Sequence, residues 1–110
     1  MDEGNFEFIN SHFTGVYLTV NNANVNIINS TFVSGGVIVN GGKTRIFNST
    51  FTGCDVAISQ GNGELELTNN IIYNNVVGVN VTGGIINLSF NALYYNNVSL
   101  LYNSSGISYE

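Results

Sequence analysis

The chain has 110 residues, a formal net charge of −5, 44% hydrophobic residues and only 8% charged ones. So apolar and weakly charged a composition excludes disorder driven by charge repulsion, and with Lys43 and Arg45 as the sole basic residues it argues against a nucleic-acid partner held through phosphates. Thirteen glycines, no proline and a predominance of asparagine disfavour long helices and suit short strands joined by tight turns.

The chain opens on Met1-Asp2-Glu3-Gly4, which has neither the basic nor the apolar region of a signal peptide. No stretch reaches the roughly 18 to 20 continuous apolar residues of a membrane span, so no membrane insertion is expected. A first coil then reads Phe6 and Phe8 facing inward, a bend at Asn10, an inward Phe13, and inward Leu18 and Val20 before the linker Asn21 to Asn24. The second coil repeats it with Val25, Ile27, Asn29, Phe32, Val37 and Val39, followed by the linker Asn40 to Lys43. The third runs Thr44, Ile46, Asn48, Phe51, Val56 and Ile58, with a longer linker from Ser59 to Glu64.

The fourth coil is Leu65, Leu67, Asn69, Ile72, Val77 and Val79, then the linker Asn80 to Ile85. The fifth is Ile86, Leu88, Leu93, Val98 and Leu100, then Leu101 to Gly106, and a sixth begins at Ile107 and Tyr109. The motifs Ile9-Asn10-Ser11-His12-Phe13, Ile28-Asn29-Ser30-Thr31-Phe32 and Phe47-Asn48-Ser49-Thr50-Phe51 show the first step of 19 residues, which lengthens to 21 at Ile72 and Leu93. Inward slots two apart are strand periodicity, and about 20 residues is too short for a βαβ unit of roughly 30. The prediction is an all-β solenoid of about five coils whose strands pair with their equivalents about 4.8 Å above and below. The change of coil length is expected to fall wholly in the linker that begins at Ser59.

Asn10, Asn29, Asn48 and Asn69 share a bend slot, where asparagine tolerates a left-handed backbone and stacked amides can bond to one another. Phe90 breaks that column, and Asn91 lines up with Asn70 instead, which predicts a local bulge or a shifted turn. Lys43 falls in the slot of Glu64 and Arg45 in that of Glu66, predicting outward pairs of opposite charge. Cys54 is expected in a turn as a small, partly buried residue, and His12 shares an outward slot with Thr31 and Thr50.

The Asn-Ser-Thr-Phe repeats, each followed by a Gly/Asn turn and a Val-rich strand, resemble the right-handed parallel β-helix repeat. That repeat is shared by pectate-lyase-like carbohydrate enzymes, polymorphic outer-membrane proteins and adhesin-like surface proteins, and here the resemblance runs from about Asn5 to Tyr109. It implies a right-handed coil and a cell-surface or extracellular role, with fold specified far better than function. Lyases of this fold use clustered acidic residues for calcium and a basic residue as proton acceptor, and the hydrolases use groups of aspartates. The chain departs from both: its one interior aspartate, Asp55, lies in a turn, and Glu64 and Glu66 are too few for the six to eight oxygens of a calcium ion. No catalytic residue, cofactor or metal site is therefore expected.

The remaining candidates form a binding surface: Ile9, Ile28 and Phe47 stacked in a slot that points outward or sits at a bend, and Tyr73 and Tyr94 in another with Tyr95 beside them. Aromatic faces suit a glycan or a protein partner. Sequons beginning at Asn29, Asn48, Asn80, Asn87, Asn97 and Asn103 point the same way, towards a glycosylated surface protein. Neither end carries an amphipathic cap, so the chain is expected to be one β-helix domain that is part of a longer solenoid or associates end to end. Function is thus expected to be structural and adhesive, with a self-assembling fibre or sheath subunit and a fragment of a carbohydrate-active enzyme as the alternatives.

Overall fold

The computed structural model describes residues 1–102. The first coil consists of β1 (Asn5–Ile9), β2 (His12–Thr14) and β3 (Tyr17–Val20); the second of β4 (Ala23–Ile28), β5 (Thr31–Val33) and β6 (Gly36–Val39). The third holds β7 (Gly42–Phe47), β8 (Thr50–Thr52) and β9 (Val56–Gln60), the fourth β10 (Glu64–Thr68), β11 (Ile71–Tyr73) and β12 (Val77–Val81), and the fifth β13 (Ile85–Ser89), β14 (Ala92–Tyr94) and β15 (Val98–Tyr102). Each strand pairs in parallel with its equivalents in the adjoining coils, giving three five-stranded sheets in the orders β1-β4-β7-β10-β13, β2-β5-β8-β11-β14 and β3-β6-β9-β12-β15. The chain is an all-β parallel solenoid of about five turns, as its repeats predicted. The expected sixth turn at Ile107 and Tyr109 lies outside the described residues.

Alternation within each strand puts one set of side chains into a continuous apolar pillar. Val25, Ile27, Phe32, Val37, Val39, Ile46, Phe51, Ile58, Leu65, Leu67 and Ile72 are all buried. The rings of Phe13, Phe32 and Phe51 stack with centroids 4.6 Å apart at each step, close to the strand spacing itself. Offset aromatic stacking adds about 0.5–1.5 kcal/mol per pair beyond burial. Thr44, the one polar residue expected at an inward slot of the first sheet, is buried without a partner for its Oγ1.

The third sheet corrects the expected columns. Val37 pairs with Ile58 rather than Val56, and Val39 with Gln60 rather than Ile58. The inward columns are therefore Leu18-Val37-Ile58-Val79-Leu100 and Val20-Val39-Gln60-Val81. Val56, Val77 and Val98 form a separate column that starts only in the third coil, and Val98 is exposed.

The lengthening accordingly lies in the turn between β8 and β9, not in the linker after Ser59: Val37 comes five residues after Phe32, whereas its counterpart Ile58 comes seven after Phe51. The polar Gln60 concealed this, because its slot does not read as core. Inside, its Nε2 donates to the carbonyls of Gly63 (3.0 Å) and Ile85 (2.9 Å), which ties the third linker to the coil below.

Two bends per coil use left-handed backbone. At the first, Asn10, Asn29, Asn48 and Asn69 have φ between 53 and 59°. Phe90 takes the same conformation (φ 58°), so no bulge or shifted turn interrupts the column: Ser89 still pairs with Thr68 and Ala92 with Ile71. At the second bend Gly15, Ser34, Gly53, Asn74 and Tyr95 all have positive φ.

The residue that follows the left-handed position, at the first bend from the second coil onward and at the second bend in the fourth and fifth coils, turns inward and accepts a backbone N–H from the coil above. At the first bend the amide N–H groups of Ser11 and Ser30 donate to the next coil's Ser30 and Ser49 Oγ, and those of Ser49 and Asn70 donate to Asn70 and Asn91 Oδ1. At the second, the N–H groups of Cys54 and Asn75 donate to Asn75 and Asn96 Oδ1. Buried peptide groups need such partners, and these two columns supply them where no strand pairing can.

Candidate functional site

On the outer face of the first sheet, the expected charge pairs form across adjoining coils. Lys43 Nζ lies 3.5 Å from Glu64 Oε2, and Arg45 Nε donates to Glu66 Oε2 at 3.2 Å. All four side chains are more than a third exposed, so each pair contributes at most about 1 kcal/mol. A groove of about 450 Å³ crosses this face between Glu7, Asn26, Lys43 and Arg45.

Ile9, Ile28 and Phe47 close the same sheet as one column, since β1, β4 and β7 pair through them. Ile9 is exposed, and the other two are half-buried. Tyr73 and Tyr94 occupy the far end of the second sheet, their rings stacked at 5.3 Å, with Tyr95 set edge-on to Tyr94 at 5.2 Å. The tyrosines are thus brought together, while the Ile9 column stands apart from them at the opposite end of the short β2-type strands. His12 is exposed and lies 3.0 Å from Thr14 Oγ1 through Nε2, in register with Thr31 as expected.

Cys54 is almost fully buried at the second bend, more deeply than expected, with its Sγ donating to the Thr52 carbonyl at 3.4 Å. The same bond is made by Ser49 Oγ to the Phe47 carbonyl at the first bend. Burial pushes the Cys54 thiol pKa up, away from the nucleophilic thiolate. Among the described residues no three His, Cys, Asp or Glu side chains gather as a metal set would require.

A larger groove, of about 760 Å³, follows the first bend. Its floor is the asparagine column, in which Asn29 Nδ2 donates to Asn10 Oδ1 and Asn69 Nδ2 to Asn48 Oδ1, both at 2.7 Å. Ile28, Ile71 and Ala92 lie along it, and Phe90 closes one end. The chain matches no family model, no curated protein and no solved structure.

Phe90 and this groove were absent from the candidates read in the sequence. The signal was present: a phenylalanine in a slot otherwise filled by asparagine marked the position. The break in the column predicts a fault in the fold, whereas the structure keeps the turn and leaves the side chain exposed.

Proposed function

We propose that the chain is a non-enzymatic structural and adhesive module, a stiff β-solenoid that presents a flank to a glycan or a protein at the cell surface or outside the cell, as part of a parent protein. The observation that carries this reading is the Tyr73–Tyr94 stack with Tyr95 edge-on to it, held on strands that are paired to adjoining coils. A platform fixed in this way loses little conformational freedom when a partner docks, which leaves more of the contact energy for affinity. The likeness of its repeats to those of adhesin-like surface proteins supports the same role. An enzymatic reading has less support, because Lys43 and Arg45 are engaged by Glu64 and Glu66. Binding to a glycan array should be present in the parent chain and weakened in a Tyr73→Ala/Tyr94→Ala variant; a variant that binds as well as the parent removes the tyrosine stack from the binding surface, and a parent chain that captures no glycan overturns the glycan form of the assignment.

A second reading, end-to-end assembly, is favoured by the first coil. β1, β2 and β3 are edge strands, and Phe13 is only half-buried on top of the ring stack. A further coil from a second copy would extend both the sheets and the stack. Sedimentation velocity over a wide concentration range tests this, and a sedimentation coefficient that stays monomeric throughout removes it.

A further inference from the structure

We infer that the groove along the first bend binds a neutral oligosaccharide, with Phe90 as the stacking platform for one pyranose ring and the amides of Asn29, Asn48 and Asn69 as partners for its hydroxyls. This deepens the adhesive reading and rests on it.

The starting point is a residue the fold does not need. Phe90 adopts φ 58°, a conformation that a bulky L side chain takes only at a cost, in a slot that four asparagines fill elsewhere. Its side chain is 89% exposed, so no burial offsets that strain, and among the described residues no other ring stacks on it. Strain without a packing return is the mark of a residue held out for something else.

The surroundings say what that is. No charged side chain lines the groove, which favours an uncharged ligand over a uronate or a phosphate. Its volume falls in the range of sites that hold small ligands. The floor offers planar amides, each with two N–H donors and two acceptor lone pairs. Because the bonds join Asn10 to Asn29 and Asn48 to Asn69, each pair keeps donors and acceptors to spare. A polyhydroxylated chain is the ligand that uses both kinds at once.

Amides recurring with the coil spacing of about 4.8 Å suit a ligand that itself repeats. Phe90 at the end of the row supplies a flat apolar surface for the C–H face of a sugar ring. Thr50, which also borders the groove, adds a hydroxyl without charge.

The test is calorimetric titration of the full chain with cellohexaose, mannohexaose and chitohexaose, and with hexagalacturonate as the charged counterpart. Asn29 and Asn48 begin sequons, and their amides are open to a ligand only where they carry no glycan, so the protein is produced without N-glycosylation. At least one neutral hexaose should bind and hexagalacturonate should not. Phe90→Asn, which restores the residue of the other coils, should weaken that binding about ten-fold or more, the size of effect expected for an aromatic anchor. Its thermal midpoint should rise, so loss of binding cannot be loss of folding.

Unchanged binding in Phe90→Asn, a preference for hexagalacturonate, or no binding of any neutral hexaose overturns the groove assignment. Binding that survives Phe90→Asn but disappears in Tyr73→Ala/Tyr94→Ala overturns the groove while leaving the adhesive module intact. A parent chain that captures nothing on the glycan array loses the glycan form of both.

Discussion

The upper and lower coils of this solenoid close their bends by different chemistry. In the second and third coils, Ser30 and Ser49 donate to the carbonyl two residues back in their own coil, and Cys54 does the same with its thiol. In the fourth and fifth, Asn70, Asn75, Asn91 and Asn96 reach instead to carbonyls 24 residues earlier, in the coil above. Ser30 and Ser49 Oγ each accept one N–H from the coil above and donate within their own bend, whereas Asn70 and Asn75 accept the same N–H and add a second bond between coils through Nδ2. The core changes in parallel, from the stacked rings of Phe13, Phe32 and Phe51 to the aliphatic Ile72 and Leu93. The lesson is that hydrogen bonds between coils take over in the lower half, where the stack of rings has ended.

Substitutions at four positions probe that contrast. Phe51→Ala, which removes the last ring of the upper stack, should cost about 3–5 kcal/mol in urea unfolding. A loss below about 2 kcal/mol would mean that the stack is not what holds the upper coils. Asn70→Ala strands the Ser49 amide and the Ile46 carbonyl in the interior and should cost about 2–6 kcal/mol, at about 1–3 kcal/mol per unsatisfied group. Asn70→Ser should recover a good part of that, since serine fills the slot two coils higher; equal losses in both variants would break the comparison.

Tyr95→Gly moves in the opposite direction. Tyr95 has φ 56° and is 83% exposed, so glycine, the residue found at Gly15 and Gly53, should stabilise the chain by about 1 kcal/mol. A lower thermal midpoint would show that its edge-on contact with Tyr94 outweighs the strain.

The smallest effect concerns Cys54, whose thiol pKa is raised by burial above its ordinary value of 9.0. The unfolded chain therefore loses its proton first, and stability, complete below pH 9.0, should decline as pH climbs through and beyond that value. Cys54→Ser should be nearly neutral at pH 7 and should remove this part of the alkaline decline; identical alkaline profiles for parent and variant would assign the decline to other groups.

The sequence conveyed the fold because the solenoid writes one side-chain period, two, inside another of about twenty. Phe32 and Phe51, and Ile27 and Ile46, fall in register because both periods agree there. Register was misread where chemistry and position part company. Gln60 lies in the core but is polar, and Val56 is apolar but precedes the core slot, so the aliphatic match pulled the third sheet two residues out of place. Likewise the burial of Asn70 and Asn75 is not legible in the sequence, because a hydrogen-bonded interior amide and a solvent-facing one are the same letter. Of the candidate surface, the tyrosine stack was readable from equal spacing, whereas Phe90 was hidden by the assumption that every column exists for the fold.

The place where the coil length changes has a consequence for how such a chain can grow or shrink. Below the turn between β8 and β9, every residue sits over the one 21 positions later in all three sheets. Excising residues 64–84 would join Gly63 directly to Ile85, the residue that shares the slot of Glu64. The rod would shorten by one full storey with no seam, so its length is adjustable only in whole units, and a gene encoding it can be edited by unequal exchange without passing through a misfolded intermediate length.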